Sequence, residues 1–349
     1  MLPYLISYIV IAFFALFEKK ENNKIFQLFY LLVFFYLLLF NGLRYEVGGD
    51  WGNYLRYFYS YLPYVSFTDV LFHNDPLYWI LAYFMYLIGW NMVGVNFFVA
   101  IIFFIGLYLI LKKQPYPWLG LAVAFPYFIA VVSMGYVRQA AAIGFIMIGI
   151  YYLENKKFWK YVIFVLLATG FHKTAIIMLG IGLFIGDKGK FIKSIAILLI
   201  MIGLGLAMKQ QAESLYKSYV EAGIQSSGGF IRILMNAVAA ILLFIFKEKW
   251  QKLFNDLDFW KILAYGSLLM IPLVFISSTA VDRIGLYFIP LQVVVFSRLP
   301  VLLEGKINRS LIKMVILFYY LLVLIVWFNY ATNSYAWLPY QNVLFKDLI

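Results

Sequence analysis

The chain has 349 residues, of which 65% are hydrophobic and 13% charged, with a formal net charge of +12 and no cysteine. Soluble domains average about 45–50% apolar residues, so a water-soluble globule is excluded and lipid is the solvent for much of the surface. The missing thiols exclude disulfides, thiol catalysis and cysteine-based metal sites, and they leave the redox compartment open.

In a soluble protein this positive charge would point to nucleic acid. Here the basic residues cluster in short loops between apolar runs, which is membrane topology, and no nucleic-acid partner is expected. Long apolar runs instead of short alternating segments exclude a transmembrane β-barrel. The first run, 2–17, has no basic stretch before it and no small-residue cleavage site after it, so it reads as a retained span. A span needs roughly 20 apolar residues. The candidates are 2–17, 25–42, 93–111, 117–132, 139–153, 159–171, 174–186, 192–208, 230–246, 259–278, 284–299 and 311–330. The predicted fold class is therefore all-α: a polytopic membrane protein with about twelve transmembrane helices, forming one integral membrane domain over 1–349. No internal repeat, low-complexity tract or soluble domain is visible.

A thirteenth run, 77–90, is short and joins 93–111 through Gly89-Trp90-Asn91. Charge decides its path. If it does not cross, nineteen of the 28 basic residues share one face, in the groups beginning at Lys19, Lys112, Lys156, Lys188, Lys247 and Arg298. The other face receives nine: Arg44, Arg56, Arg138, Lys173, Lys209, Lys217, Arg232, Arg283 and Lys346. A crossing would flip every basic loop from Lys112 onward. The positive-inside rule thus makes 77–90 a re-entrant or interfacial helix on the outer face, with both termini outside. The two longer loops, 43–76 and 209–229, then lie outside and contribute to an outward-facing cavity.

Ionisable groups beside membrane spans mark functional sites. Residues 41–58 hold Arg44, Glu46, Asp50 and Arg56 between two apolar runs. Arg44, at the outer end of the second span, is otherwise a snorkelling anchor. Arg138 interrupts two apolar runs and is followed by Ala140, Ala141, Ala142 and Gly144, small residues that let helices approach closely. Its structural alternative is a buried ion pair with Asp282 or Asp50. Arg283 precedes Tyr287 by four residues, placing both on one helix face. Guanidinium stays charged and forks onto phosphate, so Arg44, Arg138 and Arg283 form a candidate diphosphate clamp, with a structural ion network as the alternative.

His172 sits in the turn between the two shortest runs and is a candidate general base or donor, or else a turn-capping histidine. Asp50 and Glu46 are candidate bases or orienters, and Gly48-Gly49 permits a tight turn beside them. His172, Asp50 and Arg138 make the candidate catalytic set; Glu46, Gln139, Tyr287 and Tyr340 are candidate substrate contacts. His73 reads as structural, next to Asp75-Pro76, where Pro76 opens a helix. Two histidines with scattered acids do not make a zinc site, and there is no phosphate loop or dinucleotide fingerprint, so no metal or cofactor is expected.

Together these islands resemble the EpsG-like branch of the Wzy-type polysaccharide polymerases. The likeness rests on Arg44-Tyr45-Glu46-Val47-Gly48-Gly49-Asp50-Trp51 with Tyr54, Asp75-Pro76-Leu77-Tyr78, Val137-Arg138-Gln139-Ala140, Phe171-His172-Lys173-Thr174-Ala175, and Arg283 with Tyr287. It covers about residues 25 to 330. The chain departs at Gly49, where the family pattern has threonine, and at Asp75, where it often has glutamate. The resemblance implies a GT-C-like architecture and a metal-independent glycosyltransferase at the outer, periplasmic face of the bacterial cytoplasmic membrane. Such enzymes move a growing glycan from polyprenyl diphosphate onto a lipid-linked repeat unit. The implied partners are polyprenyl-diphosphate-linked oligosaccharides, membrane lipid, a chain-length regulator and a flippase. In that scheme Arg44, Arg138 and Arg283 would stabilise the diphosphate, and His172 or an acid such as Asp50 would take the proton from the attacking hydroxyl. A lipid-linked glycan transporter or flippase, an O-antigen ligase-type glycosyltransferase and a sugar acyltransferase remain open as alternatives.

Overall fold

The chain was analysed as a computed structural model, which describes residues 1–19, 24–184, 195–196, 198–200, 202–203, 226 and 228–348. Most of the expected run 192–208 and of the loop 209–229 lies outside the described residues, with Lys20, Lys188, Lys190, Lys193, Lys209 and Lys217. Among the described residues the fold is helical and contains no strand; Arg44 and Asn342 form an isolated antiparallel bridge.

The helices follow the apolar runs. α1 is Leu2–Phe17 and α2 Lys24–Gly42. The long loop after α2 folds into α3 (Trp51–Ser60), a 3-10 turn at Leu62–Tyr64 and α4 (Phe67–Leu71), which Ser66 and Asp69 cap reciprocally. α5 (Pro76–Leu87) starts on Pro76, as its fixed φ favours, and ends before the run does. α6 is Met92–Leu111, and α7 opens at Pro117 and runs to Ala124. α8 is Val137–Glu154 and α9 Phe158–Phe171. The run 174–186 begins as a 3-10 helix, Lys173–Met178, and becomes α10, Leu179–Phe184. Past the gap come α11 (Gly229–Ile245), α12 (Lys247–Leu253), α13 (Leu257–Leu273) and α14 (Ser278–Gly285). α14 continues through a 3-10 turn, Leu286–Phe288, into α15 (Ile289–Leu302), and α16 is Arg309–Tyr330.

Among the described residues, four helical stretches are long and apolar enough to cross a membrane: α2, α6, Ser278–Leu302 and α16. The pair α11 and α12, bent by 74°, makes a fifth if read as one span. Apolar helices of 10–17 residues add α1, α5, Pro117–Ser133, α9 and Lys173–Gly182. The chain is thus a helical membrane protein, while helix length alone does not establish twelve crossings. Hydropathy overcounts ordered length because 174–186 starts in 3-10 form and α13 stops at Leu273 within its run.

α8 is the spine. It packs along α6 and α9, and glycines set its approach to α6. A Cβ on Gly144 would lie 2.8 Å from the Ile102 carbonyl and from Phe103 Cα, and one on Gly106 would meet the Gly144 carbonyl. Hydrogen bonds sort the loops into two ends, separated along the eighteen residues of α8 by about 27 Å at 1.5 Å per residue. At the Glu154 end, Lys113 pairs with Glu154 (2.8 Å), and Lys313 Nζ donates to the carbonyl of Ala15 (3.1 Å). There too the Arg298 guanidinium forks onto Asp256 (2.8 and 2.7 Å) and donates to Gln114 (2.8 Å). The Glu18 carboxylate accepts the Trp118 and Leu119 N–H groups at the start of α7, where a helix favours an anion.

At the Arg138 end, α7 passes into a fully buried π-helix, Phe125–Ser133. Such a stretch leaves carbonyls without regular helical partners. Side chains take them up: Asn41 Nδ2 donates to Ile129 O (3.3 Å), Trp337 Nε1 to Ala130 O (2.7 Å) and Arg44 to Met134 O (2.8 Å). The C-terminal segment lies across the first long loop, with backbone bonds from Tyr45 to Gln341, from Gly48 to Ala336 and from Val343 to Leu43. A Cβ on Gly135 would meet the Trp337 ring, so glycine is what lets the tail close over this turn.

Candidate functional site

Asp75 organises the Arg138 end. It stands before α5 in the left-handed region (φ 58°), a conformation that asparagine and aspartate tolerate better than most. Its side chain makes no cap hydrogen bond to α5. Its buried carboxylate instead reaches across the fold: Arg138 NH1 donates to Oδ2 (2.8 Å) and the Lys173 backbone N–H to Oδ1 (3.0 Å). One side chain therefore ties the start of α5 to the start of α8 and to the turn after α9. Arg138 Nε also donates to the Tyr54 hydroxyl of α3 (3.3 Å), and its guanidinium lies over that ring. The side chain is nonetheless 37% exposed, against 3% for Asp75. The ion pair expected with Asp282 or Asp50 is made with Asp75 instead.

Asp282 is engaged elsewhere. Arg232 of α11 forks onto its two oxygens (2.7 and 2.6 Å), and Ser226 Oγ donates to it (2.7 Å). Its neighbour Arg283 is left over. The Arg283 guanidinium stacks over the Tyr136 ring, 4.6 Å from its centroid, and among the described residues it has no ion pair and donates no hydrogen bond. Gln139 Nε2 donates to the Arg283 carbonyl (2.5 Å), so α8 fixes the backbone from which this cation projects.

His172 lies between these groups. It ends α9, and its Nδ1 is 2.7 Å from Thr174 Oγ1, which is 3.0 Å from the buried Tyr287 hydroxyl. Burial first, then the cations Arg138, Arg283 and Lys173, hold its imidazole well below the usual range, at about 3. The ring is neutral at physiological pH. The cluster is thus a positively charged group around a neutral imidazole, here called the recess, with one acid in direct contact. The side chain of Asp50, half-buried ahead of α3, has no hydrogen bond or ion pair among the described residues, and its charge acts on Tyr54, Tyr78 and Tyr136.

The other expected residues fall elsewhere. Arg44 is 1% exposed and points inward. NH1 donates to Asn41 O (2.7 Å), and NH2 to Asn96 Oδ1 (3.0 Å) and Met134 O (2.8 Å). These bonds make it a pin between α2, α6 and the end of the π-helix. In the Gly48-Gly49 turn the Gly48 N–H is taken up by Ala336 O (2.8 Å). Glu46 is exposed at φ 52° with no hydrogen bond or ion pair among the described residues. Tyr340 stacks on Phe40 (4.2 Å) and donates to the Phe40 carbonyl (2.7 Å), so it anchors the tail. His73 packs on Trp79, with Nδ1 against the Asn74 carbonyl. The sequence reading missed Asp75, Thr174 and Tyr54 as members of the cluster. The one signal was their presence in the quoted islands.

Cations from α8, the 172–174 turn and α14 that gather around His172 suit an anionic ligand with several oxygens. No curated protein and no solved structure matches the chain. A family model described as the EpsG family matches residues 27–342. That match spans nearly the whole length and takes in every residue of the cluster, and the chain belongs to the EpsG family.

Proposed function

We propose that this protein is a membrane glycosyltransferase of the Wzy-polymerase type. It moves a growing glycan from polyprenyl diphosphate onto a sugar hydroxyl of a lipid-linked repeat unit. The bond formed joins the acceptor oxygen to the anomeric carbon of the donor. The bond broken joins that carbon to the diphosphate oxygen, which departs with the electron pair. The hydroxyl proton passes to a protein group. The leaving group is an anion, and the observation that carries the reading is Arg283, a guanidinium with no ion pair or hydrogen bond among the described residues, clustered with Arg138 and His172. Arg138 and Arg283 would hold the diphosphate as charge develops on it. Arg44 is left out of this clamp because its position is buried and occupied with protein acceptors.

The reading includes twelve crossings, a recess on the outer face of the cytoplasmic membrane, and no metal. Its support is the sorting of basic loops to the Glu154 end, which the positive-inside rule places in the cytoplasm. The test is complementation of a strain that lacks its own polymerase. A ladder of surface glycan lengths with the gene, and single repeats without it, is expected. Lipid-linked units held on the inner leaflet would overturn the reading in favour of transport. A full ladder already present without the gene, but retained on the lipid carrier, would overturn it in favour of ligation.

A further inference from the structure

We infer that His172 serves the transfer as a hydrogen-bond donor through Nε2–H, and that Thr174 and Tyr287 are positioning residues that fix this tautomer. The inference rests on the glycosyl-transfer reading for its role and on geometry for its chemistry. The Tyr287 side chain is fully buried. Its hydroxyl must place one proton, and Thr174 Oγ1 is 3.0 Å away. The Gln139 amide lies beside the same hydroxyl, but its Nε2 donates to the Arg283 carbonyl and its Oε1 accepts no hydrogen bond. A backbone carbonyl cannot donate, so the Arg283 contact also fixes which way the amide faces. The phenolic proton therefore goes to Thr174.

Threonine has a single proton of its own. With one lone pair filled by Tyr287, that proton goes to the other neighbour, His172 Nδ1 at 2.7 Å. The reverse order would leave a buried phenolic O–H without an acceptor, which proteins avoid. Nδ1 thus carries the lone pair, and the neutral ring carries its hydrogen on Nε2. The ring is only half-buried, and Nε2 is not among the buried polar atoms that lack a partner. With Nδ1 taken by Thr174 and no partner among the described residues for Nε2, that nitrogen is the one left for a ligand. Burial first, and then the surrounding cations, keep the ring neutral. A neutral N–H set among Arg138, Lys173 and Arg283 fits an oxyanion, and it is the wrong group to take a proton. That task falls to a carboxylate, and Asp50 is the half-buried acid without a partner among the described residues.

The chain has two histidines, so the tautomer can be read directly. Full-length protein labelled with 15N-histidine in lipid nanodiscs, carrying His73→Gln to remove the second signal, gives the protonation of each ring nitrogen by NMR. The expected result between pH 5 and 8 is an unprotonated Nδ1 and a protonated Nε2. A protonated Nδ1, or an imidazolium, overturns the inference. Tyr287→Phe should mix the two tautomers, and an unchanged spectrum would overturn the positioning role. In the ladder assay His172→Gln, which keeps an N–H donor, should retain at least tenfold more elongation than His172→Ala. Equal loss in folded protein would overturn donation. The NMR readout needs no activity, so a correct tautomer with no glycan ladder would refute the polymerase reading and not this one.

Discussion

Arg44 and Arg283 give the sharpest test, because the fold treats them in opposite ways. Arg44→Ala removes a buried guanidinium and leaves the carbonyls of Asn41 and Met134 and the Asn96 amide oxygen without their donor. A buried polar group left unpaired costs about 1–3 kcal/mol. Three such groups make the loss roughly 3–9 kcal/mol, a large part of the 5–15 kcal/mol that holds a typical domain. Arg283→Ala removes a side chain with no protein hydrogen bond among the described residues. The fold loses the contact with the Tyr136 ring, about 0.5–1 kcal/mol for a partly exposed pair. The chemistry loses a donor on the leaving anion, where deletion of one such group slows turnover about 100- to 1,000-fold. Membrane-extracted protein should be assayed three ways: the folded fraction by size exclusion, the melting temperature, and glycan elongation per folded molecule. Arg44→Ala should melt early, with near-normal elongation by whatever folds. Arg283→Ala should melt like the parent and fail to elongate. An Arg44→Ala protein of normal stability and no activity would refute the argument, as would an Arg283→Ala protein that elongates within tenfold of the parent.

Four further outcomes are expected. Gly144→Ala should lower the melting temperature by the equivalent of about 1–3 kcal/mol, since its Cβ would meet α6 backbone at 2.8 Å, which has no room to give. Asp75→Asn keeps the left-handed backbone and an acceptor for the Lys173 N–H but removes the charge facing Arg138. Breaking a fully buried pair costs about 3–5 kcal/mol, and partial exposure of Arg138 reduces this to about 1–3 kcal/mol, read as a melting shift, with elongation down more than tenfold. His172 titrates near 6.5 when unfolded and near 3 when folded, so between those values the unfolded chain binds the extra proton. Stability should therefore fall as pH drops through that window, by at most about 1.4 kcal/mol per unit, and stay flat above it; His172→Gln should remove the slope, and elongation should show no inflection near pH 6.5 from this residue. In this cysteine-free chain Asn74→Cys should react with an impermeant thiol reagent added to intact cells and Asn155→Cys should not, and the reverse pattern would invert the topology.

The helices were legible because lipid enforces a strong local signal. Each apolar run that falls in the described residues is helical, and Pro76 and Pro117 begin helices as their missing N–H predicts. The breaks were less legible. Nothing in the periodicity of residues 125–133 announces a π-helix, because its register is held by partners distant in sequence, Asn41, Arg44 and Trp337. The site shows the same division. His172, Arg138 and Arg283 were visible as charges in apolar surroundings. Their pairing was not, because Arg138 meets Asp75 across 63 residues and Thr174 meets Tyr287 across 113. Sequence spacing within a helix carries no information about such contacts. The left-handed φ of Asp75, which turns its carboxylate away from capping and toward Arg138, is equally silent in the sequence.

Arg44 explains why sidedness was not enough. Charge counting places an arginine at one end of a bundle, and it does so equally for a ligand-binding cation and for a structural one. What separates them is where the donors go. The π-helix leaves Met134 with a free carbonyl, and a long, permanently charged side chain from α2 is well suited to reach it. That demand is met inside the protein and needs no ligand. Arg283 has a backbone held by Gln139 and a neighbouring acid already engaged by Arg232, so the fold has placed a cation and removed its nearest counter-ion. A guanidinium without a counter-ion beside two other cations is electrostatically unfavourable unless an anion arrives, which supports the proposed diphosphate site.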